Sequence, residues 1–166
     1  MGKIKKSLQK IINSFRFIIS KLEQSDINWC LVGSLSLYLQ GVKIKAKDID
    51  ILTDKEGAYQ INRIFEEFEI QGVQFSKSDL FYSHYGKFSI KGVITEIMGD
   101  LSIFIDGKWT SDIRNRLNSK EILFYEGLKI PISPLQDQLK SYIRLKRSKD
   151  LKKIRMIKKT LKLKEN

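Results

Sequence analysis

Apolar residues recur at three- and four-residue steps near the start of the chain, which places them along one side of a long α-helix. The members of this stripe are Ile4, Leu8, Ile11, Ile12, Phe15, Ile18, Ile19 and Leu22. A second helical period begins after Asp54, which is predicted to cap that helix. It comprises Ala58, Ile61, Ile64, Phe65 and Phe68. Both helices are expected to pack one apolar face on a core.

Short apolar or alternating runs predict the strands of a sheet. The first run, residues 28–32, ends at Gly33 and Ser34, and Ser34 is predicted to cap a short helix over residues 35–40 that Gly41 closes. The later runs are Val73 to Phe75, Tyr85 to Ile90, Val93 to Met98, Glu121 to Phe124 and Leu128 to Ile132, with Gly86, Gly92 and Gly127 expected at turns. Helices between the first strands and hairpins afterwards predict an α+β fold with a mixed sheet.

Two amphipathic helices are predicted at the end of the chain. Pro134 suits the first turn of one, and a break near residues 148–149 precedes the other. Their apolar stripes are Leu135, Leu139, Tyr142 and Ile143, then Leu151, Ile154, Ile157 and Leu161, and the basic residues are expected to face away from them. Because no linker rich in Gly, Pro or Ser appears, residues 1–166 are predicted to form a single domain. It would comprise an N-terminal helix (1–25), an α/β core (26–133) and a basic helical tail (134–166).

Composition narrows the class of protein. The 166 residues are 42% hydrophobic and 30% charged, which is typical of an ordered globular chain. Cys30 is the only cysteine, so neither an intramolecular disulfide nor a Cys-based zinc site is possible. The N-terminus lacks the features of a signal peptide, and no apolar run is long enough to cross a bilayer. The expected location is therefore a reducing cytoplasm.

Positive charge is concentrated in the tail. Of the net charge of +12, residues 140–166 carry +10, from twelve Lys or Arg against two acids. The remaining residues carry nineteen Lys or Arg against seventeen acids. This distribution indicates either a polyanionic or acidic partner, or a solvated helix face with no partner.

Carboxylates supply the candidate chemistry. Asp48 and Asp50 stand at positions i and i+2 of a predicted strand and therefore share a face. Glu96, in the run 93–98, would bring a third acid from a neighbouring strand, and Asp100 is the alternative if the register differs. Mg²⁺ is a hard cation that accepts a few carboxylates together with phosphate oxygens, and Mn²⁺ would serve similarly.

A glycine-containing turn precedes these acids. Gly33 and Ser34 lie at a predicted strand-to-helix turn, which offers backbone N–H groups and a hydroxyl to phosphate oxygens. In the sequence, LVGS is followed by KDIDIL, with Asp48 fifteen positions after Gly33. This order resembles the nucleotidyltransferases of the DNA polymerase β-like superfamily, especially minimal bacterial and archaeal members, over about the first hundred residues. The tail resembles lincosamide-type and toxin-type members more loosely, through Arg147-Ser-Lys-Asp150.

The resemblance implies a polymerase β-like fold, a mixed sheet flanked by helices, and a role for each motif. Gly33 and Ser34 would hold the triphosphate of an NTP such as ATP, and Asp48, Asp50 and Glu96 would bind the metal and serve catalysis. The implied reaction transfers a nucleoside monophosphate to a hydroxyl and releases pyrophosphate, with Asp50 or Glu96 accepting the hydroxyl proton.

These motifs do not identify the molecule that accepts the nucleoside monophosphate. The basic tail favours RNA, for example a tRNA end, through phosphate contacts. A partner protein, as in toxin–antitoxin pairs, ranks second and an antibiotic third. A non-catalytic nucleotide- or nucleic-acid-binding module of the same fold is the alternative to an enzyme. We predict no catalytic role for His84, Trp29 or Trp109. The two tryptophans are interpreted as core or rim aromatics.

Overall fold

A long N-terminal helix opens the computed structural model, which describes residues 2–111 and 113–165 except the side chains of residues 3–4 and 113–115. This helix, α1, spans Gly2–Leu22. Its predicted stripe is buried from Ile11 to Leu22, and Leu8 is half-buried. The side chain of Ile4 lies outside the described residues. No helix in the described ranges is long and apolar enough to cross a membrane.

The sheet is built from eight strands with helices between them. In the first half these are β1 (Trp29–Val32), α2 (Gly33–Leu39), β2 (Ile49–Thr53), α3 (Lys55–Ile64), β3 (Glu69–Lys77) and β4 (Phe81–Ile90). In the second half they are β5 (Val93–Ile105), β6 (Lys108–Ser111), α4 (Ile113–Asn118), β7 (Glu121–Tyr125), β8 (Leu128–Ile132), α5 (Leu135–Leu145) and α6 (Leu151–Glu165). Short 3₁₀ turns at Glu66–Phe68 and Ser148–Asp150 precede β3 and α6.

The strand order is β3-β4-β5-β2-β1-β8-β7, and β6 pairs with β5. The pairs β2–β5 and β1–β8 are parallel and the others antiparallel, so the sheet is mixed as predicted. Alternation along β1 divides the core: Leu31 packs in the cluster that contains α1 and α3, whereas Cys30 and Val32 pack with Leu117 of α4. Helices therefore cover both faces of the sheet, and the fold class predicted from the sequence is confirmed.

Strand extents differ from the sequence pattern. The strands β3, β4 and β5 are all longer than predicted, and β6 and α4 were not predicted. Hydrogen bonding between adjacent strands continues beyond the predicted runs, since β4 pairs with β5 from Phe81 onwards and the end of β5 pairs with β6. The predicted second helix also ends early, at Ile64, so that Phe68 lies in a 3₁₀ turn. Asp54 does cap α3, because its side chain accepts a hydrogen bond from the Gly57 N–H at 2.6 Å.

Gly86 is not at a turn, contrary to the prediction. It lies inside β4, opposite Ile97 of β5, and the β3–β4 connection at residues 78–80 contains no glycine. A Cβ on Gly86 would stand 2.6 Å from Val73 Cγ2 and 3.0 Å from Phe88 Cε2. The glycine is thus needed for close packing across β3 and β4. Gly92 and Gly127 do lie at turns, with positive φ angles.

We expect Gly86→Ala to lower the free energy of unfolding by about 1–3 kcal/mol because the added methyl overlaps Val73. Val73→Ala removes the clashing Cγ2 atom, so it should cost less stability in the Gly86→Ala background than in the wild type. Urea denaturation of the four proteins measures both effects. Additive losses would contradict the packing argument.

Candidate active site

Three carboxylates converge at the centre of the sheet. Asp48 immediately precedes β2, Asp50 lies in β2, and the parallel pairing of β2 with β5 sets Glu96 opposite Asp50. One ligand oxygen from each lies within 4.8 Å of the others, and all three residues are half-buried. Asp100, the alternative third acid, is not a member of this group. It has a φ of 49° and stands where the β4–β5 register shifts.

Strand alternation explains why the two aspartates face the same way. Ile49 and Ile51 are both 0% exposed and belong to the core that contains α1 and α3. Burial of these side chains turns the intervening Asp50 to the opposite face, and Asp48 precedes Ile49 by one residue. The cluster therefore depends on the hydrophobic anchoring of β2.

Gly33 lies directly against one of these acids. Its φ is 76°, in the left-handed region, and a Cβ there would stand 2.0 Å from Asp50 Oδ2. Glycine is thus required both by the backbone conformation and by the close approach to the carboxylate. The turn and the acid cluster form one continuous surface.

Ser34 does not cap α2 as predicted, since that helix has no side-chain cap. Its hydroxyl instead lies 3.3 Å from Asp48 Oδ1, to which it donates, and accepts from the Lys47 N–H at 3.1 Å. Because α2 begins at Gly33, Ser34 is already inside the helix and its side chain is free to bond the loop before β2. Ser34 therefore orients Asp48.

Two polar side chains at the site had no signal in the sequence. Tyr85 of β4 donates its hydroxyl to Glu96 Oε1, and burial together with Glu96 raises the Tyr85 pKa well above its ordinary range. Gln138 of α5, which is 2% exposed, accepts the Gly33 N–H at 3.1 Å. Both contacts depend on strand register and helix docking, which no local pattern reveals.

The acids repel one another in the absence of a cation. Burial is the largest cause of a pKa of Asp50 well above its ordinary value of 3.8, and the charges of Asp48 and Glu96 and a hydrogen bond with Glu96 add to the shift. The positive charge of Lys153 acts in the opposite direction. A bound divalent cation would relieve this repulsion.

Arg147 and Lys153 of the tail point inwards, contrary to the prediction that the basic residues face away. Asp150 is 0% exposed, with Arg147 Nε at 2.6 Å from its Oδ2 and Lys153 Nζ at 3.8 Å from its Oδ1. A buried carboxylate needs such partners. The tail therefore contributes positive charge near the acid cluster.

The histidine and the two tryptophans considered in the sequence lie outside the cluster of three acids. His84 hydrogen-bonds the hydroxyl of Tyr59 at 3.1 Å. Trp29 is 5% exposed and packs edge-on against Phe15. Trp109 is half-buried, and its ring centroid lies 4.8 Å from that of Tyr82. The two tryptophans are thus core and rim residues, as predicted.

Comparisons with known proteins place the chain among characterised families and folds. The protein-family model of aminoglycoside-2''-adenylyltransferases matches residues 14–154. A Thermotoga maritima protein (TM1012), provisionally assigned as a nucleotidyltransferase, is 37% identical over 87% of this chain and 89% of that one, with a TM-score of 0.78. A search of curated protein sequences gives no significant match.

Two solved antibiotic-modifying enzymes share the fold. The lincomycin-bound lincosamide adenylyltransferase LnuA is 18% identical, with 88% of this chain and 95% of that one aligned and a TM-score of 0.59. The antibiotic-resistance factor ANT(2'')-Ia is 12% identical, with 93% and 85% aligned and a TM-score of 0.60. At these identities the likeness concerns the fold.

The fold and these relatives define a nucleotidyltransferase of the DNA polymerase β-like superfamily, an enzyme that transfers a nucleoside monophosphate from an NTP to an acceptor hydroxyl. Within that class, the chain belongs to the aminoglycoside-2''-adenylyltransferase family, whose model spans most of its length. The enzyme class inferred from LVGS and KDIDIL is thereby confirmed.

We expect Asp50→Asn to stabilise the metal-free protein at neutral pH, because the amide carries no charge to be buried or to repel Asp48 and Glu96. The folded wild type retains the Asp50 proton to higher pH than the unfolded chain does, so its unfolding free energy falls as pH rises above 3.8. The Asp50→Asn variant lacks this fall in unfolding free energy, because an amide does not titrate. Its advantage should therefore vanish near pH 4, as measured by urea denaturation with EDTA across the pH range, and a constant difference would contradict the electrostatic cause.

Proposed function

We propose that Asp48, Asp50 and Glu96 bind divalent metal, Mg²⁺ or Mn²⁺, and form the catalytic centre of this nucleotidyltransferase. The supporting observation is their convergence within 4.8 Å beside Gly33. A donor set made only of carboxylates suits a hard cation, which completes its shell with phosphate oxygens and water. Bound there, the metal would neutralise the triphosphate and the pyrophosphate leaving group.

The protein residues orient the reactants around this centre. Gly33 allows the triphosphate to approach the backbone, and Ser34 holds Asp48. The acceptor hydroxyl oxygen bonds to the α-phosphorus of the NTP, the α–β phosphoanhydride bond breaks, and pyrophosphate leaves. The hydroxyl proton passes to Asp50 or Glu96, depending on which carboxylate faces the acceptor.

RNA is the acceptor that the surface charge favours. Of the twelve basic residues after position 139, all but Arg147 and Lys153 are exposed. Seven of the exposed residues lie on α6 and the turn before it: Lys149, Lys152, Arg155, Lys158, Lys159, Lys162 and Lys164. Exposed cations at this density bind a phosphate backbone with release of counterions. A hydroxyl at a tRNA end is then the proposed acceptor.

An antibiotic is the second candidate, because the family membership favours it. LnuA is known with lincomycin bound, and ANT(2'')-Ia in complex with adenylyl-2''-tobramycin. An aminoglycoside carries several positively charged amines, however, so the exposed cations of the tail would attract RNA but not an aminoglycoside. A partner protein as acceptor, as in toxin–antitoxin pairs, is supported by no specific contact.

Asp48→Asn and Asp50→Asn should each lower nucleotidyl transfer by at least about 10³-fold, because each removes a metal-binding carboxylate. Asp100→Asn is the matched control, since that acid lies on β5 outside the cluster, and it should retain activity. The assay supplies each α-labelled NTP and Mg²⁺ with total RNA, proteins or aminoglycosides, and follows transfer of the label. Equal activity in all variants would reject the assigned site.

Reversing the charge of four exposed tail residues should weaken acceptor binding far more than NTP binding. The residues changed to Glu are Lys152, Arg155, Lys158 and Lys159. For single-stranded RNA, log affinity should fall with log salt at a slope of about −0.7 per neutralised phosphate, and the variant should show a flatter slope. Electrophoretic mobility shifts over a range of salt concentrations measure this.

The control for this variant reverses four exposed lysines of α1. These are Lys5, Lys6, Lys10 and Lys21. An equal effect of the two variants would show that net charge alone matters, and an unchanged RNA affinity in the tail variant would favour the antibiotic as acceptor.

A further inference from the structure

The amide of Gln138 occupies a buried junction between three segments of the chain. Its Oε1 accepts the Gly33 N–H at 3.1 Å, while its Nε2 donates to Ser36 Oγ at 2.7 Å and to the Ser133 carbonyl at 2.9 Å. The side chain is 2% exposed. One side chain thus ties α5 to α2, including the Gly33 turn at its start, and to the end of β8.

This junction is rigidly connected to the central strands. The Ser133 N–H donates to the Leu31 carbonyl at 3.0 Å, so the start of α5 and the end of β1 are joined by the backbone. Gly33 follows β1 directly. Because both the oxygen and the nitrogen of the Gln138 amide are hydrogen-bonded, this side chain determines where the Gly33 backbone lies.

The position of Gly33 determines in turn the surroundings of Asp50. No side-chain atom separates them, and the space in which a Cβ would stand is only 2.0 Å from Asp50 Oδ2. The Gly33 N–H is itself held by its hydrogen bond to Gln138 Oε1. Movement of this turn by even a fraction of an ångström would change the space beside the carboxylate.

We infer that Gln138 is a positioning residue, which holds the Gly33 turn against Asp50 in the geometry that binds the metal–NTP complex. This inference rests on the proposed function of the acid cluster. It assigns to the helical tail a role in NTP binding that is separate from acceptor binding. Because Gln138 is buried, it would act through Gly33 and not by contact with the nucleotide.

Gln40 provides a matched control within the same junction. Its Nε2 donates to Ser36 Oγ at 3.1 Å and to the Ser133 carbonyl at 3.0 Å, which are the same two acceptors that Gln138 uses. Gln40 has no hydrogen bond to Gly33. Gln40→Met and Gln138→Met therefore each remove an amide from Ser36 and Ser133, but only Gln138→Met releases the Gly33 N–H.

The experiment measures calorimetric binding of Mg²⁺ with a non-hydrolysable ATP analogue to both variants and the wild type. It also measures their thermal unfolding. Both variants should unfold at somewhat lower temperature, whereas analogue affinity should fall about tenfold in Gln138→Met and less than about twofold in Gln40→Met. In turnover assays the loss in Gln138→Met should appear mainly in the KM for NTP. Equal affinities in the two variants would overturn the inference while leaving the proposed function intact.

If Gln138→Met does not fold, hydrogen exchange of the Gly33 amide in the wild type tests the role of Gln138 instead. The Gly33 amide should be strongly protected from hydrogen exchange and should remain protected when the analogue binds, because Gln138 continues to accept it. Fast exchange of that amide would overturn the positioning role. A wild type that binds no analogue would reject the proposed function, and this inference with it.

Discussion

The parallel pairing of β2 with β5 is the constraint on which the site depends. It sets Asp50 opposite Glu96, and it holds only because Ile49 and Ile51 are fully buried on the other face. A one-residue slip would turn Asp50 into the core and expose the isoleucines. Hydrophobic burial thus supplies the free energy that keeps negative charges together despite their mutual repulsion.

The rest of the structure compensates for that concentration of charge. Gly33 leaves space beside Asp50, Ser34 and Tyr85 donate hydrogen bonds to the other two acids, and Lys153 supplies positive charge from the tail. These contacts reach the site from α2, β4 and α6. The metal-free protein is therefore an arrangement under electrostatic strain, which a divalent cation would relieve.

Much of this could be predicted from the sequence because short-range patterns carry it. The apolar stripe of α1, the Asp48–Asp50 spacing and the turn at Gly33 are local features, and they sufficed for the fold class and the enzyme class. Gln138 and Tyr85 were missed, because their contacts depend on long-range docking. Gly86 was misassigned to a turn for a related reason, since only the β3–β4 packing shows why a glycine is needed inside a strand.

Binding of Mn²⁺, followed by the electron paramagnetic resonance signal of the free ion, tests the metal centre most directly. The titration compares the wild type with Glu96→Gln, with and without a non-hydrolysable ATP analogue. We predict saturable binding to the wild type that the analogue strengthens, and affinity at least about tenfold weaker in Glu96→Gln. Equal Mn²⁺ binding by the two proteins, or none by the wild type, would contradict the assignment of these carboxylates to a metal.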